Sequence, residues 1–186
     1  MNIFRRIQLS RDSNVTVANL VDELVRRKGN CEVSVDNGGA FHLADLHADI
    51  LSIDAFLRRV VGLRSGQPVA IYRTNTRHCF HWFLAIIRAG GIAVPLNPLL
   101  SLAEVRRILA DSGTEIMVTD QAVFARNIGN RQALNIHTWI QADNETDTLD
   151  GFLRVGYAGS LGPPVVIDPA QTIVVFHTSG TSGFPK

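Results

Sequence analysis

The stretch Thr172-Ile173-Val174-Val175-Phe176-His177-Thr178-Ser179-Gly180-Thr181-Ser182-Gly183-Phe184-Pro185-Lys186 decides how this chain is read, because an apolar run enters a loop dense in hydroxyls and glycine that ends on a cation. Residues 172–176 predict a continuous apolar strand. Phosphate oxygens need several short-range donors at once. Gly180 and Gly183 let backbone amides converge on one anion without side chains in the way. Thr178, Ser179, Thr181 and Ser182 add hydroxyl donors, Lys186 supplies a mobile point charge, and Pro185 restricts the loop just before it. The spacing differs from that of P-loop NTPases, since Gly180 and Gly183 stand only three apart and Lys186 follows Pro185. A Ser/Thr/Gly-rich segment taken alone is more often a linker or surface turn. The strand before it, and the register of Pro185 and Lys186 with the glycines, favour a phosphate loop instead.

Working back from that loop, the chain alternates strands and helices. Val17, Leu20, Val21, Leu24 and Val25 form a helical stripe, and Arg26, Arg27 and Lys28 complement the dipole of its last turn before Gly29. Cys31, Val33 and Val35 alternate with polar residues, and Asp36-Asn37-Gly38-Gly39 leads to Ala40-Phe41-His42-Leu43, a hairpin pattern expected at a sheet edge. Leu46, Ile50, Ile53, Leu57, Val60 and Val61 predict a long helix ending at Gly62. Val69–Tyr72, a helix from His78 to Ala89 and Ile92–Val94 then make a βαβ unit. No glycine fingerprint follows Val69–Tyr72, only Arg73-Thr74-Asn75, so a dinucleotide-binding Rossmann site is unsupported. Ser101-Leu102-Ala103-Glu104 has capping-box spacing and opens a helix that Gly113 closes. Glu115–Thr119, a short helix near Ala122 and a strand over Ile136–Ile140 follow. The prediction is an α/β fold with a mostly parallel sheet covered by helices on both faces.

Composition narrows the function classes. With 46% hydrophobic content over 186 residues the chain can bury a core, and its 18 basic and 17 acidic residues leave a formal charge of +1. That balance provides no field to gather nucleic acid or an anionic membrane, so a small molecule or another protein is the expected partner. The most apolar stretch, Phe80–Leu100, is broken by Arg88, Gly90, Gly91, Pro95 and Asn97, which argues against a transmembrane segment. Met1–Ser10 has no apolar run behind Arg5 and Arg6, so a secretory signal is not expected. The two cysteines, Cys31 and Cys79, stand in no paired motif, which suits the cytoplasm. No internal repeat is visible, and Gln141–Asp147 reads as a solvated loop.

Val175–Lys186 resembles the AMP-binding motif of the adenylate-forming superfamily, which comprises acyl-CoA synthetases, luciferases and nonribosomal-peptide adenylation domains. Upstream, Val69–Tyr72, Ala89–Pro98 and Glu115–Asp120 are similar to the order of that family's N-terminal region. The resemblance implies an N-terminal α/β subdomain over 1–170 and a strand with its ATP-phosphate loop over 171–186. Thr178, Ser179, Gly180, Thr181, Ser182, Gly183 and Lys186 would hold the nucleotide. It further implies that a carboxylic acid, with a fatty acid favoured, attacks the α-phosphate of ATP with Mg2+ present. The acyl group of the adenylate then passes to CoA or a carrier-protein thiol. The chain stops at Lys186, where the family usually continues with glycine, and the motifs for adenine, ribose, metal and the mobile lobe with its lysine lie beyond it. No catalytic residue is therefore assigned, and this chain alone is expected not to make an adenylate. It is read either as a fragment of a complete ligase or as a remnant that binds a partner or an anion. A homo-oligomer or a missing C-terminal portion would be the protein partner.

Other residues are weighed against plainer readings. His78 and His81 stand three apart on a helix, but no acidic neighbour at ligand spacing supports a metal, and packing or surface roles are favoured. Phe80, Trp82 and Phe83 read as core. Arg58-Arg59 and Arg106-Arg107 read as solvated helix faces. His177 stands where many members of the similar family carry an aromatic residue, and either substrate contact or packing fits it.

Overall fold

The computed structural model describes residues 15–36, 39–142, 163–168 and 170–177. Helix α1 (Leu20–Lys28), preceded by a 3-10 turn over Val17–Asn19, leads to a hairpin of β1 (Glu32–Asp36) and β2 (Gly39–His42). Then come α2 (Leu43–Phe56), which widens into a π-helical turn over Leu57–Val61, β3 (Pro68–Ile71), α3 (Arg77–Arg88) and β4 (Ile92–Pro95). The series closes with α4 (Leu102–Ser112), β5 (Ile116–Thr119), the short α5 (Gln121–Val123) and β6 (Thr138–Gln141).

Four strands form one parallel sheet in the order β4-β3-β5-β6. Val69 lies opposite Ala93 on one side and Ile116 on the other, while Met117 lies opposite Trp139. The hairpin pairs antiparallel as a separate two-stranded sheet, so it is not an edge of the main one, contrary to the expectation from sequence. Its Asn37-Gly38 turn lies outside the described residues, as do Met1–Ser10 and the Asp143–Asp147 part of the polar loop.

Strand alternation divides the core into two layers. Val69, Ile71, Ala93, Ile116, Val118 and Ile140 face the cluster built from α1, α2 and α3, with Leu46, Ile50, Ile53, Trp82 and Ile86. Ala70, Tyr72, Val94 and Met117 face the cluster of α4, with Val105, Ile108 and Leu109, completed by Val123, Ile128 and Leu134. Helices therefore cover both faces. Phe80 departs from the core reading: it is 52% exposed, whereas Trp82 is buried. Position 80 falls on the outer side of α3 because the stripe 82, 85, 86 meets the sheet.

Charges are threaded through the first layer. Asp54 is fully buried and accepts from Arg58 (2.6 Å) and from Arg88 Nε (3.1 Å). Arg88, also buried, reaches Asp22 through Nη1, and Asp22 in turn binds His47 at 2.7 Å. Burial pushes the Asp54 carboxyl above the ordinary carboxylate range, against the pull of the Arg58 and Arg88 guanidiniums. Arg58 is thus part of this network rather than a solvated charge.

The α3–β4 turn explains the consecutive glycines. Gly90 has φ +85, and a Cβ there would stand 2.9 Å from Val165 Cγ1. At Gly91 a Cβ would stand 3.0 Å from Leu63 Cδ2. A side chain at either position would displace these neighbours, and at Gly90 the positive φ adds backbone strain.

Residues 172–176 correct another expectation. They are extended, but they pair with the sheet only at a parallel bridge between Val174 and Ala93. Ala93 donates to Ile173 O at 2.9 Å and accepts from Val175 N at 3.0 Å. The next outward position on β4 is Pro95, which has no amide hydrogen, so the ladder cannot continue there.

Candidate functional site at the carboxyl edge of the sheet

Parallel strands place their carboxyl ends on one edge, where the loops that follow can shape a site. β3 leaves that edge through Arg73-Thr74-Asn75-Thr76 and β4 through Leu96–Leu100. Asp120, buried at the end of β5, fixes the first loop: its Oδ2 accepts from Thr74 N at 2.6 Å, and its Oδ1 caps α5 by accepting from Val123 N at 2.8 Å. Cys79 Sγ donates to Thr74 O at 3.1 Å.

The second loop is held from below. Tyr72 OH donates to Leu100 O at 2.7 Å, and Asn127 Nδ2 donates both to the Tyr72 hydroxyl and to Pro98 O, each at 2.7 Å. Burial raises the Tyr72 phenol above its ordinary value, so it stays a donor at neutral pH. Asn97 Oδ1 accepts from Leu99 N at 2.9 Å and closes an Asx turn.

Between the two loops lies a cavity of about 580 Å³, in the size range of small-molecule sites. Arg73, Asn75, Cys79, Phe83, Asn97, Leu99 and Phe176 contribute to its lining. It is largely apolar with a few polar groups, and Arg73 is the cationic residue among the lining, itself buried. Phe83 packs against the core, as expected from sequence, and also lines the cavity. Arg73, Asn75 and Asn97 were not singled out as site residues from sequence. The signal was the end of each apolar strand, because on a parallel sheet the residues just beyond it reach the open edge.

The extended segment 172–177 runs parallel to β4 and so points to the same edge. Phe176 lines the cavity, and His177 Nδ1 is buried with no hydrogen-bond partner among the described residues. Thr178, Ser179, Gly180, Thr181, Ser182, Gly183 and Lys186 lie outside the described residues. What the structure provides is their point of departure, beside the cavity. Among the described residues the lining holds no carboxylate; its oxygen donors include the Asn75 and Asn97 side chains.

Residues 21–186 match the family described as AMP-binding enzyme. The chain is 31% identical over 142 residues to 4-coumarate–CoA ligase 5 of Oryza sativa subsp. japonica, covering 72% of this chain and 26% of that protein. It is 23% identical over 183 residues to gramicidin S synthase 2 of Brevibacillus brevis, covering 98% of this chain and 4% of the synthase. Among solved structures, the inhibitor-bound N-terminal domain of FACL13 from Mycobacterium tuberculosis superposes with a TM-score of 0.76 at 23% identity, over 91% of this chain and 42% of that one. The chain thus spans only a minor part of the length of these relatives.

Proposed function

The chain belongs to the AMP-binding enzyme family, and from that premise we propose that it forms the ATP-phosphate side of an acid–thiol ligase. One observation carries the proposal: residues 172–177 lie parallel to β4, so the Ser/Thr/Gly loop departs at the carboxyl edge, next to the cavity that holds Arg73. Thr178, Ser179, Gly180, Thr181, Ser182, Gly183 and Lys186 would bind the β and γ phosphates. A substrate carboxylate oxygen attacks the α-phosphorus, the bond to the bridging oxygen breaks, and pyrophosphate leaves with that electron pair. A thiol then takes the acyl group, and AMP leaves. The loop's part is to orient the leaving pyrophosphate and spread its charge. Mg2+ would accompany ATP in that task.

A carboxylic acid is the proposed substrate, with a fatty acid favoured and CoA or a carrier thiol as acceptor. The apolar lining of the cavity supports that choice, as does likeness to a long-chain-fatty-acid–CoA ligase of Mycobacterium tuberculosis, 27% identical over 148 residues. Leu99 and Phe176, 82% and 68% exposed, form an apolar rim that further protein would cover in the complete ligase. Cys31 and Cys79 are free thiols, which suits the cytoplasm.

The test is acid-dependent exchange of pyrophosphate into ATP by a ligase that carries this chain within the family's full length. Exchange is expected there, and Lys186→Ala should lower it by about 100-fold or more, the scale for losing one preorganised charge-stabilising group. Undiminished exchange in that variant would remove the loop from the mechanism. The 186 residues by themselves are expected to give no exchange.

A further inference from the structure

We infer that Asp49, His78 and His81 form a transition-metal site, of zinc-binding character, that fastens α2 to α3. The sequence offers His78 and His81 without an acidic partner, and the fold supplies one: Asp49, 29 positions before His78, comes from the middle of α2. One ligand atom from each of the three residues lies within 4.8 Å of the others.

His81 is the decisive member. It is 2% exposed, and its Nδ1 lies 2.9 Å from Asp49 Oδ2, an ion-pair distance in an orientation that lacks hydrogen-bond geometry. Buried polar atoms are seldom left so. The contrast is the His47–Asp22 pair, which closes at 2.7 Å with hydrogen-bond geometry. Two ligands of one metal ion stand in just the first relation. With bonds of about 2.0 Å and bond angles between right and tetrahedral, their donor atoms lie roughly 2.9 to 3.3 Å apart and off one another's bonding axis.

The rings are held in place. His81 stacks on Phe41 of β2 at 5.2 Å and 19°, and His78 meets it edge-on at 5.1 Å and 72°. Such packing fixes ligand orientation before the ion arrives. Two imidazoles and a carboxylate suit zinc and its borderline neighbours better than magnesium or calcium, and three protein ligands leave one position open. Entry is from solvent, since the Asp49 side chain is 45% exposed. Arg77 lies over the same Phe41 ring, 4.8 Å from its centroid, and its charge would weaken the site without occupying it. The site is separate from the cavity, which α3 lines with Cys79 and Phe83.

The test uses Co2+ as a spectroscopic stand-in for zinc on the 186-residue chain. One equivalent should give visible d–d absorption that Zn2+ abolishes, and Zn2+ should raise the melting temperature. Asp49→Asn and His78→Gln, both at partly exposed positions and checked for fold by circular dichroism, should each weaken binding at least tenfold and erase the thermal shift. His47→Gln should retain both. Absence of one-equivalent binding, or binding that survives Asp49→Asn and His78→Gln, would overturn the assignment.

Discussion

The two faces of the parallel sheet are built from the same alternating strands, yet they solve burial differently. The face under α4 packs an apolar cluster around the Tyr72 hydroxyl, whose partners Leu100 and Asn127 tie the loop after β4. The face under α1–α3 buries Asp54 and Arg88 and links them to Asp22 and His47. The sheet does not impose this difference, because Val69 and Ala70 are equally buried on opposite sides of one strand. It arises where three helices must fit together: apolar surface holds a helix on a sheet, whereas directional charge pairs fix how helices sit on one another.

That contrast can be broken most strongly at Arg88. Arg88→Ala leaves Asp54 buried with one guanidinium fewer and should cost about 3–5 kcal/mol in urea unfolding. The double change Arg88→Met with Asp54→Leu should cost less than Arg88→Ala, since the unpaired charge goes too. On the other face, Ile108→Ala should cost about 2–5 kcal/mol through its cavity, with no such rescue by a second apolar substitution.

The pH dependence should have opposite signs at Asp54, inside the face under α1–α3, and at Glu104, in the exposed cap of α4. Asp54 titrates above its unfolded value, so the folded state holds that proton more tightly. Its contribution is complete below the unfolded value of about 3.9 and is lost as pH rises through the folded one. Glu104 is held below its unfolded value by its bonds to Ser101. Its contribution is present above the unfolded value and is lost as pH falls through the folded one. Urea midpoints across acid pH should therefore change slope in opposite directions in Asp54→Asn and Glu104→Gln. The smallest effect is expected from Ser101→Ala, which removes the cap of α4 at about 1 kcal/mol by the same assay.

Much of this was legible in the sequence because it is local. The capping box at Ser101 and Glu104, the stop at Gly113 and the βαβ unit before Pro95 are written in neighbouring residues, and each is found. What was not legible depends on contacts distant in sequence. Asp120 pins Thr74 from 46 positions away, Asp54 meets Arg88 from 34, and Asp49 joins His81 across a helix interface that periodicity does not specify. The reduction of 172–176 to a single bridge had a local cause, the proline at 95, but its effect depends on which way Pro95 faces in the sheet. The proposed phosphate loop is written in the sequence as chemistry alone, in the hydroxyls, glycines and Lys186 of residues 178–186. The direction of residues 172–177 beside β4 shows only the edge toward which the chain heads, and the loop's placement there is proposed.

That placement is the central claim, and amide chemical shifts of the 15N-labelled chain during titration with Mg-ATP test it most directly. The account predicts shifts at Arg73–Thr76, at Leu96–Leu99 and from Phe176 through Lys186, with the opposite edge, at Gln67, Gly91 and Glu115, unchanged. Shifts centred on that opposite edge, or none at saturating nucleotide, would contradict it.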